Sequence, residues 1–470
     1  MPCMGLIQEF PKPYSYLIYQ QGNLTKAKPG NTNLPWHSNP DSATVIQAAI
    51  DALPTGGIII ILNGTYTISA TLNLNSYITI YGESYNTILQ GTVDPLIQGT
   101  DILYFILDTL QLDGVDKSGN GLNLTGVWGA TYQNTFVIDR LKVINCDVGV
   151  LLNSCFDARI SNLEVTLSNY GLYLADGVVN VQFDWLDIRD CTDWGLYITS
   201  AGAAPEGLNF DKSLIYNCAG CLYMTDGAVI NFDEVLFDYG AAAAFVDILG
   251  GNKITFDKCW FSSPDIDNGR VFITPFVRDV KAVHFQQCNF QANGYYGLLV
   301  QNDVGSGRRP EDIQVSNCRF SLNGGVGTGG DIFLYDCDRI RIVDTDLLTT
   351  TCDKNLQESG IPTDVWLIRN YFAMGVPGLA LVAGINIMRD NKGFITQNSG
   401  TATILNGANT IIVPHGLAGT PTEVFVNGNH AEVESAYADT FGAVNFTIHK
   451  GGAGNVTANR DINYTAIYRP

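Results

Sequence analysis

Two sets of side chains have the types and spacing to do chemistry or to bind. The first is Asp187, Asp238 and Trp260, with the stretch Ser262-Ser-Pro-Asp-Ile-Asp-Asn-Gly-Arg270 that follows. Cleaving a glycosidic bond takes two carboxyl groups, roughly 5–5.5 Å apart for retention of configuration or roughly 6.5–9.5 Å for inversion, one of them with a raised pKa. Asp265 or Asp267 facing Asp238 would supply such a pair, and Trp260, Asp187 and Arg270 would hold the saccharide. The same residues also fit a solvated, Asp-rich loop that does no chemistry. The second set is Tyr173, Tyr197, Tyr223, Leu299 and Phe333, with Leu151 and Asp247 at equivalent places. Large apolar and phenolic side chains at an outward position mark a subunit interface, a sugar-stacking platform, or core covered by a loop.

Both sets sit on a repeat. Taking Phe183 as zero, equivalent residues are Ile138, Ile160, Phe183, Phe210, Phe232, Phe256, Phe285, Val315 and Ile342, with spacings between 22 and 30. A weaker copy falls at Leu107, and Ile80 starts another. Two residues earlier stand Phe136, Ala158, Val181, Leu208, Ile230, Ile254, Val283, Ile313 and Ile340; five later stand Val143, Val165, Ile188, Ile215, Phe237, Phe261, Phe290, Phe320 and Leu347. Alternation within each short segment predicts strands, and a period in the twenties predicts coils that stack on one another.

The repeat carries its own corners. Positions zero and three are both apolar, which strict alternation forbids, so the chain bends between them. The residue after zero is Asp139, Ser161, Asp184, Asp211, Asp233 or Asp257, types that bond nearby backbone, and Asp also tolerates left-handed geometry. A third strand follows, as in Gly149-Val-Leu-Leu, Gly171-Leu-Tyr-Leu, Gly195-Leu-Tyr-Ile and Gly297-Leu-Leu-Val. The fold class expected is all-β: a right-handed parallel β-helix of three strands per coil and about 10–12 coils.

Composition narrows the partners. The 470 residues hold 46 acidic and 26 basic side chains, a formal net charge of −20, which argues against nucleic acid and anionic membranes. The longest apolar run, around Gly378 to Met388, is too short to cross a bilayer, and Met1 to Phe10 does not read as a secretory signal. Of 11 cysteines, Cys259, Cys288 and Cys318 share one repeat position and Cys146, Cys191 and Cys218 another, so they read as buried thiols replacing apolar residues. Reduced thiols imply assembly in a reducing compartment. Cys218-Ala-Gly-Cys221 is a lone Cys-x-x-Cys, and Gly325-Val-Gly-Thr-Gly-Gly330 leads into a strand rather than a phosphate-binding helix. Neither a metal nor a cofactor is expected.

Along the chain, 1–40 is an N-terminal segment, 41–392 the β-helix, and 393–470 a C-terminal antiparallel β-sandwich. Asp41-Ser42 opens a helix over 41–53 whose apolar face, Val45, Ile46, Ala49, Ile50 and Leu53, suits a lid on the open solenoid end. The succession IQAAIDAL at 46–53, Gly56-Gly57, Asn63-Gly-Thr-Tyr-Thr-Ile68 and Tyr77-Ile-Thr-Ile-Tyr-Gly-Glu83 resembles the start of the pectate-lyase-like superfamily of right-handed β-helices, most of all viral tailspikes with a small C-terminal β-module. The Asn-Thr-Asp, Asp-Asp and Gly-His-Gly set of its polygalacturonase-like members is absent. The resemblance implies a homotrimeric virion tailspike, built in the host cytoplasm with other tail proteins, that binds a cell-surface polysaccharide and in one reading depolymerises it. A non-enzymatic adhesive β-helix, extracellular or at a cell surface, and a free polysaccharide lyase or glycoside hydrolase remain the alternatives.

Overall fold

The computed structural model describes residues 14–32, 34–126, 136–240, 245–263, 271–273, 279–303, 305, 307–324, 329–373, 379–380, 385–392, 397–414, 417, 420–442 and 444–468. The chain divides into two compact units, Met1–His284 and Phe285–Pro470. The predicted fold class holds: the described residues form parallel β-helix coils, one helix, and small antiparallel sheets toward the C-terminus.

In the first unit an antiparallel hairpin, Tyr16–Gln21 with Leu24–Pro29, precedes the helix Ser42–Asp51. Asp41 caps the helix, its carboxylate accepting from the Thr44 N–H at 3.2 Å. Ala43, Val45, Ile46, Ala49 and Ile50 are buried. The Gln47 amide exchanges two hydrogen bonds with the backbone of Asn73, and the Asn75 amide donates to the Ile50 carbonyl. The helix thus satisfies backbone groups that an uncovered strand edge would leave open, as a lid must.

From there the ruler is realised as register. Ile59, Ile80, Leu107, Ile138, Ile160, Phe183, Phe210, Phe232 and Phe256 pair strand to parallel strand, so the coil begins one turn earlier than Ile80. Phe183, Phe210, Phe232 and Phe256 stack with centroids 4.5–4.8 Å apart, and Phe237 stacks on Phe261 at 5.3 Å in a second internal column. Third strands begin at glycine for lack of room. A Cβ on Gly171 would stand 2.4 Å from both the Gly195 carbonyl oxygen and Ile188 Cγ2.

The corner after position zero differs in one respect from the sequence reading. The left-handed residue is not the aspartate but its successor: Thr109, Arg140, Asn162, Trp185, Lys212, Glu234 and Lys258 all have φ between 46° and 56°. The aspartate instead bonds across coils. Arg140 donates to Asp108 at 2.9 and 2.6 Å, Asn162 to Asp139 at 2.8 Å, and Lys258 approaches Asp233 at 3.3 Å.

The second unit repeats the scheme. Val315, Ile342 and Leu367 are in register, as are Phe290, Phe320, Leu347 and Phe372, with Phe290 and Phe320 stacked at 4.3 Å. Its last residues form two three-stranded antiparallel sheets: Gln397–Ile404, Arg460–Ile467 and Glu423–Gly428, then Thr410–Pro414, Asn445–His449 and Tyr437–Asp439. Ile404, Val413, Val433, Phe446, Ile448, Ile462 and Ala466 fill the space inside them. All ten described cysteines are buried, and burial pushes the Cys146 and Cys352 thiols up to about 12.

Candidate functional site

The second strand of each coil is three residues long in the middle of the first unit: inward in the centre and outward at both ends. Stacking therefore builds two outward rows. One reads Lys142, Glu164, Asp187, Leu214, Leu236, Trp260; the other reads Ile144, Thr166, Arg189, Tyr216, Asp238, Ser262.

One end of this face is charged. Lys142 Nζ donates to Glu164 Oε1 at 2.8 Å, and Arg189 Nη2 lies 3.3 Å from the same oxygen and 3.1 Å from Asp187 Oδ2. Asp187 Oδ1 is shielded from solvent and, among the described residues, has no hydrogen-bond donor. Burial pushes the Asp187 carboxyl above its ordinary value, against the pull of Arg189; the nearby Glu164 charge pushes the same way as burial. The other end is aromatic and apolar. Tyr216, Leu236 and Tyr239 are exposed, with Tyr216 and Tyr239 6.0 Å apart, and Trp260 is half-buried beside Leu236. Trp185, 60% exposed, projects from the corner just before Asp187.

The structure puts Asp187 and Trp260 in one row, three coils apart, or about 14 Å at about 4.8 Å per coil. Asp238 lies in the other row, between Tyr216 and Ser262. Its suggested partners Asp265 and Asp267, and Arg270, lie outside the described residues. The carboxylate that sequence reasoning passed over is Glu164. It sits at the same repeat position as Asp187 one coil earlier, and the ruler alone would have paired them.

On the third-strand face Leu151, Tyr173, Tyr197, Tyr223, Asp247 and Phe272 are in register. Tyr197 and Tyr223 stack in parallel at 4.8 Å, Tyr173 meets Tyr197 edge-on at 4.8 Å, and Tyr170 and Trp194 join at 5.3 and 5.0 Å. Of these contacts the Tyr197–Tyr223 pair is face to face, and the others are edge-on or tilted. Burial holds the Tyr173 and Tyr223 phenols above their ordinary value and Tyr197 at about 12. In the second unit Leu299 and Phe333 are in register, but Leu299 is only 6% exposed, and Tyr296 covers Phe333 at 5.1 Å while bonding Gln357 at 2.8 Å. Among the described residues no group of His, Cys, Asp and Glu is placed to hold a metal ion, and no helix is long and apolar enough to cross a membrane.

In-register parallel coils, a helical lid and an outward face of mixed charge and aromatics define a parallel β-helix with one charged and aromatic solvent-facing surface. Among solved structures, the chain is similar to the tailspike protein gp49 from Pseudomonas phage LKA1, with a TM-score of 0.63 and 12% identity over 90% of this chain and 92% of that one. It overlaps more loosely with the Pseudomonas phage phi297 tailspike gp61, TM-score 0.41 and 11% identity over 90% and 91% of the two chains. The surface adhesin PfbA of Streptococcus pneumoniae gives a TM-score of 0.43 and 13% identity over 80% and 94%. At such identities the likeness is one of fold. No protein-family model and no curated protein sequence matches the chain.

Proposed function

We propose that this chain is a virion tailspike protein, a homotrimer in the tail, that binds a polysaccharide of the host cell surface along the second-strand face of its first unit. The observation that carries the reading is that face itself. Five coils bring Glu164, Asp187 and Arg189 into line with Tyr216, Leu236 and Trp260 on a surface that packing alone would have left to small polar residues. Aromatic side chains offer apolar surface to the carbon-bound hydrogens of a sugar, and the charged end offers hydrogen bonds to its hydroxyls. The tailspike-like fold over nine-tenths of the chain supports the same reading. The half-buried tyrosines of the third-strand face are read as the subunit interface, and the buried thiols fit assembly in the host cytoplasm. The antiparallel sheets of 393–470, with a core of their own, are read as a module separate from 41–392.

The test is binding to purified bacterial capsular and O-antigen polysaccharides, measured on an array and then by calorimetry. Trp260→Ala is expected to weaken binding about tenfold, a loss of about 1.4 kcal/mol, with an unchanged melting temperature. Full affinity in that variant would move the site off this face.

A further inference from the structure

Each coil crosses the second-strand face between two left-handed corners, and both corner rows are otherwise polar. The row before the strand holds Arg140, Asn162, Lys212, Glu234 and Lys258, but also Trp185 at φ 56°. The row after it holds Asn145, Asp190 and Asn217, but also Leu167 at φ 55° and Tyr239 at φ 57°. A left-handed backbone is unfavourable for any side chain, and least so for Asn and Asp. Leu167, Trp185 and Tyr239 adopt it and are then left exposed, so packing does not offset the strain. Strain without burial points to a role in binding. Between the corners lie Leu214 and Leu236, register partners about 4.8 Å apart, the second of them exposed. Charged side chains interrupt this strip. Lys212 precedes Leu214 and Glu234 precedes Leu236, both well exposed, and Asp238 follows Leu236 on its strand. The core of a protein interface is depleted of charge, so apolar groups set singly among charges do not suit a second copy of this chain. They suit a polymer that is itself polar and carries isolated apolar groups. A leucine has no flat surface on which a pyranose ring can lie, and a hydroxyl held against it loses water without gaining a partner. What an exposed leucine can cover is a methyl group.

We propose that this face selects a polysaccharide whose sugars carry methyl groups, on 6-deoxy sugars or on acetyl substituents, and that Leu167, Leu214 and Leu236 contact those methyls. The inference rests on the glycan-binding reading above and adds the chemical class of the glycan. Trp185 and Tyr239 supply flat rings for the pyranoses that bear the methyls. Taking one methyl out of water against a leucine strengthens binding about fourfold, so the leucines discriminate where aromatic stacking, which any pyranose offers, does not.

The experiment uses the full chain and the polysaccharide found to bind on the array, before and after mild alkali, which removes O-acetyl groups. Methyl glycosides of 6-deoxyhexoses and of N-acetylhexosamines serve as competitors, each set against its parent hexose. Either alkali is expected to weaken the polymer about fourfold or more, or one methyl-bearing glycoside to compete about fourfold better than its parent. The arm that responds identifies the source of the methyl. Leu236→Asn is expected to weaken binding of the native polymer and to shrink the gap between methyl-bearing and methyl-free ligand. Leu167→Asn, the type found at the equivalent Asn145 and Asn217, is expected to raise the melting temperature while weakening binding. A leucine kept for the fold would not give that pairing. Equal binding with and without methyl groups, or an undiminished gap in Leu236→Asn, would overturn this inference and leave the binding reading standing. A smaller assembly in Leu236→Asn than in the wild type, read by sedimentation, would place another copy on this face and overturn it too. No binding to any polysaccharide would overturn the binding reading, and this one with it.

Discussion

Asp331 has no exposed surface, yet it lies on a strand, Gly330–Tyr335, in the second unit. Asn323 and Asn355 donate to it at 3.0 and 2.8 Å, and the Thr349 hydroxyl donates as well. Burial outweighs these donors and pushes its carboxyl up to about 6, from an ordinary 3.8. A carboxyl raised on folding binds its proton more tightly in the folded chain than in the unfolded one. Its contribution to stability is therefore complete below about pH 4 and is lost as pH climbs through about 6, a change of about 3 kcal/mol. The urea midpoint is expected to fall across that window in the wild type. The fall should be smaller in Asp331→Asn, which cannot ionise. Equal slopes for the two proteins would mean that Asp331 ionises in the folded chain as freely as in the unfolded one. Asp187 is raised in the same direction by the same cause, but it is partly solvent-facing and set beside cations, so its shift counts for less in stability.

At the scale of the coil, shape is set by left-handed residues that recur three times per turn. Besides the corner after position zero, they stand at Asn145, Leu167, Asp190, Asn217 and Tyr239, and at Tyr77, Tyr104, Asp157, Asn180, Val229 and Lys253. Few of these are glycine, so stacking imposes the conformation and each non-glycine costs something. Val229, at φ 54° and 38% exposed, is the least suited because its β-branched side chain crowds the backbone there. Val229→Asn is expected to stabilise the first unit by about 1 kcal/mol, seen as a higher melting temperature in calorimetry. An unchanged or lower value would show that Val229 packing offsets the strain. The same corners show what a sequence discloses. Alternation and period made the strands and both phenylalanine columns legible, because a side chain's facing follows from counting. The left-handed position was misplaced by one because the aspartates that mark each corner signal hydrogen bonding, here to the next coil's Arg140, Asn162 or Lys258, and not backbone angle. Glu164 was missed because a carboxylate looks ordinary until register sets it beside Asp187, whereas Asp187 stood out beside the aromatics. The third strand Lys354–Ser359 is faint in the sequence because it buries Glu358 where Leu334 stands one coil earlier, and Asn355 where Asp331 stands.

For the whole molecule the opposing quantities are charge and the tyrosine face. Each copy carries a net charge of −20, so bringing copies together costs electrostatic work that salt relieves. Against this, Tyr170, Tyr173, Trp194, Tyr197 and Tyr223 form one continuous aromatic cluster of half-buried rings on the first unit. Half-buried phenols and an indole suit a partner that brings both apolar contact and hydrogen-bonding groups, as further copies of the same face would. Analytical ultracentrifugation is expected to find a trimer at physiological salt and partial dissociation at low salt, where repulsion reaches further. Tyr197→Asp, which sets a carboxylate in the middle of the cluster, is expected to give a monomer with an unchanged circular dichroism spectrum. A wild-type chain that sediments as a monomer at every salt concentration would instead assign the tyrosine face to saccharide. Binding to the polysaccharide array should then fall in Tyr197→Asp as it does in Trp260→Ala.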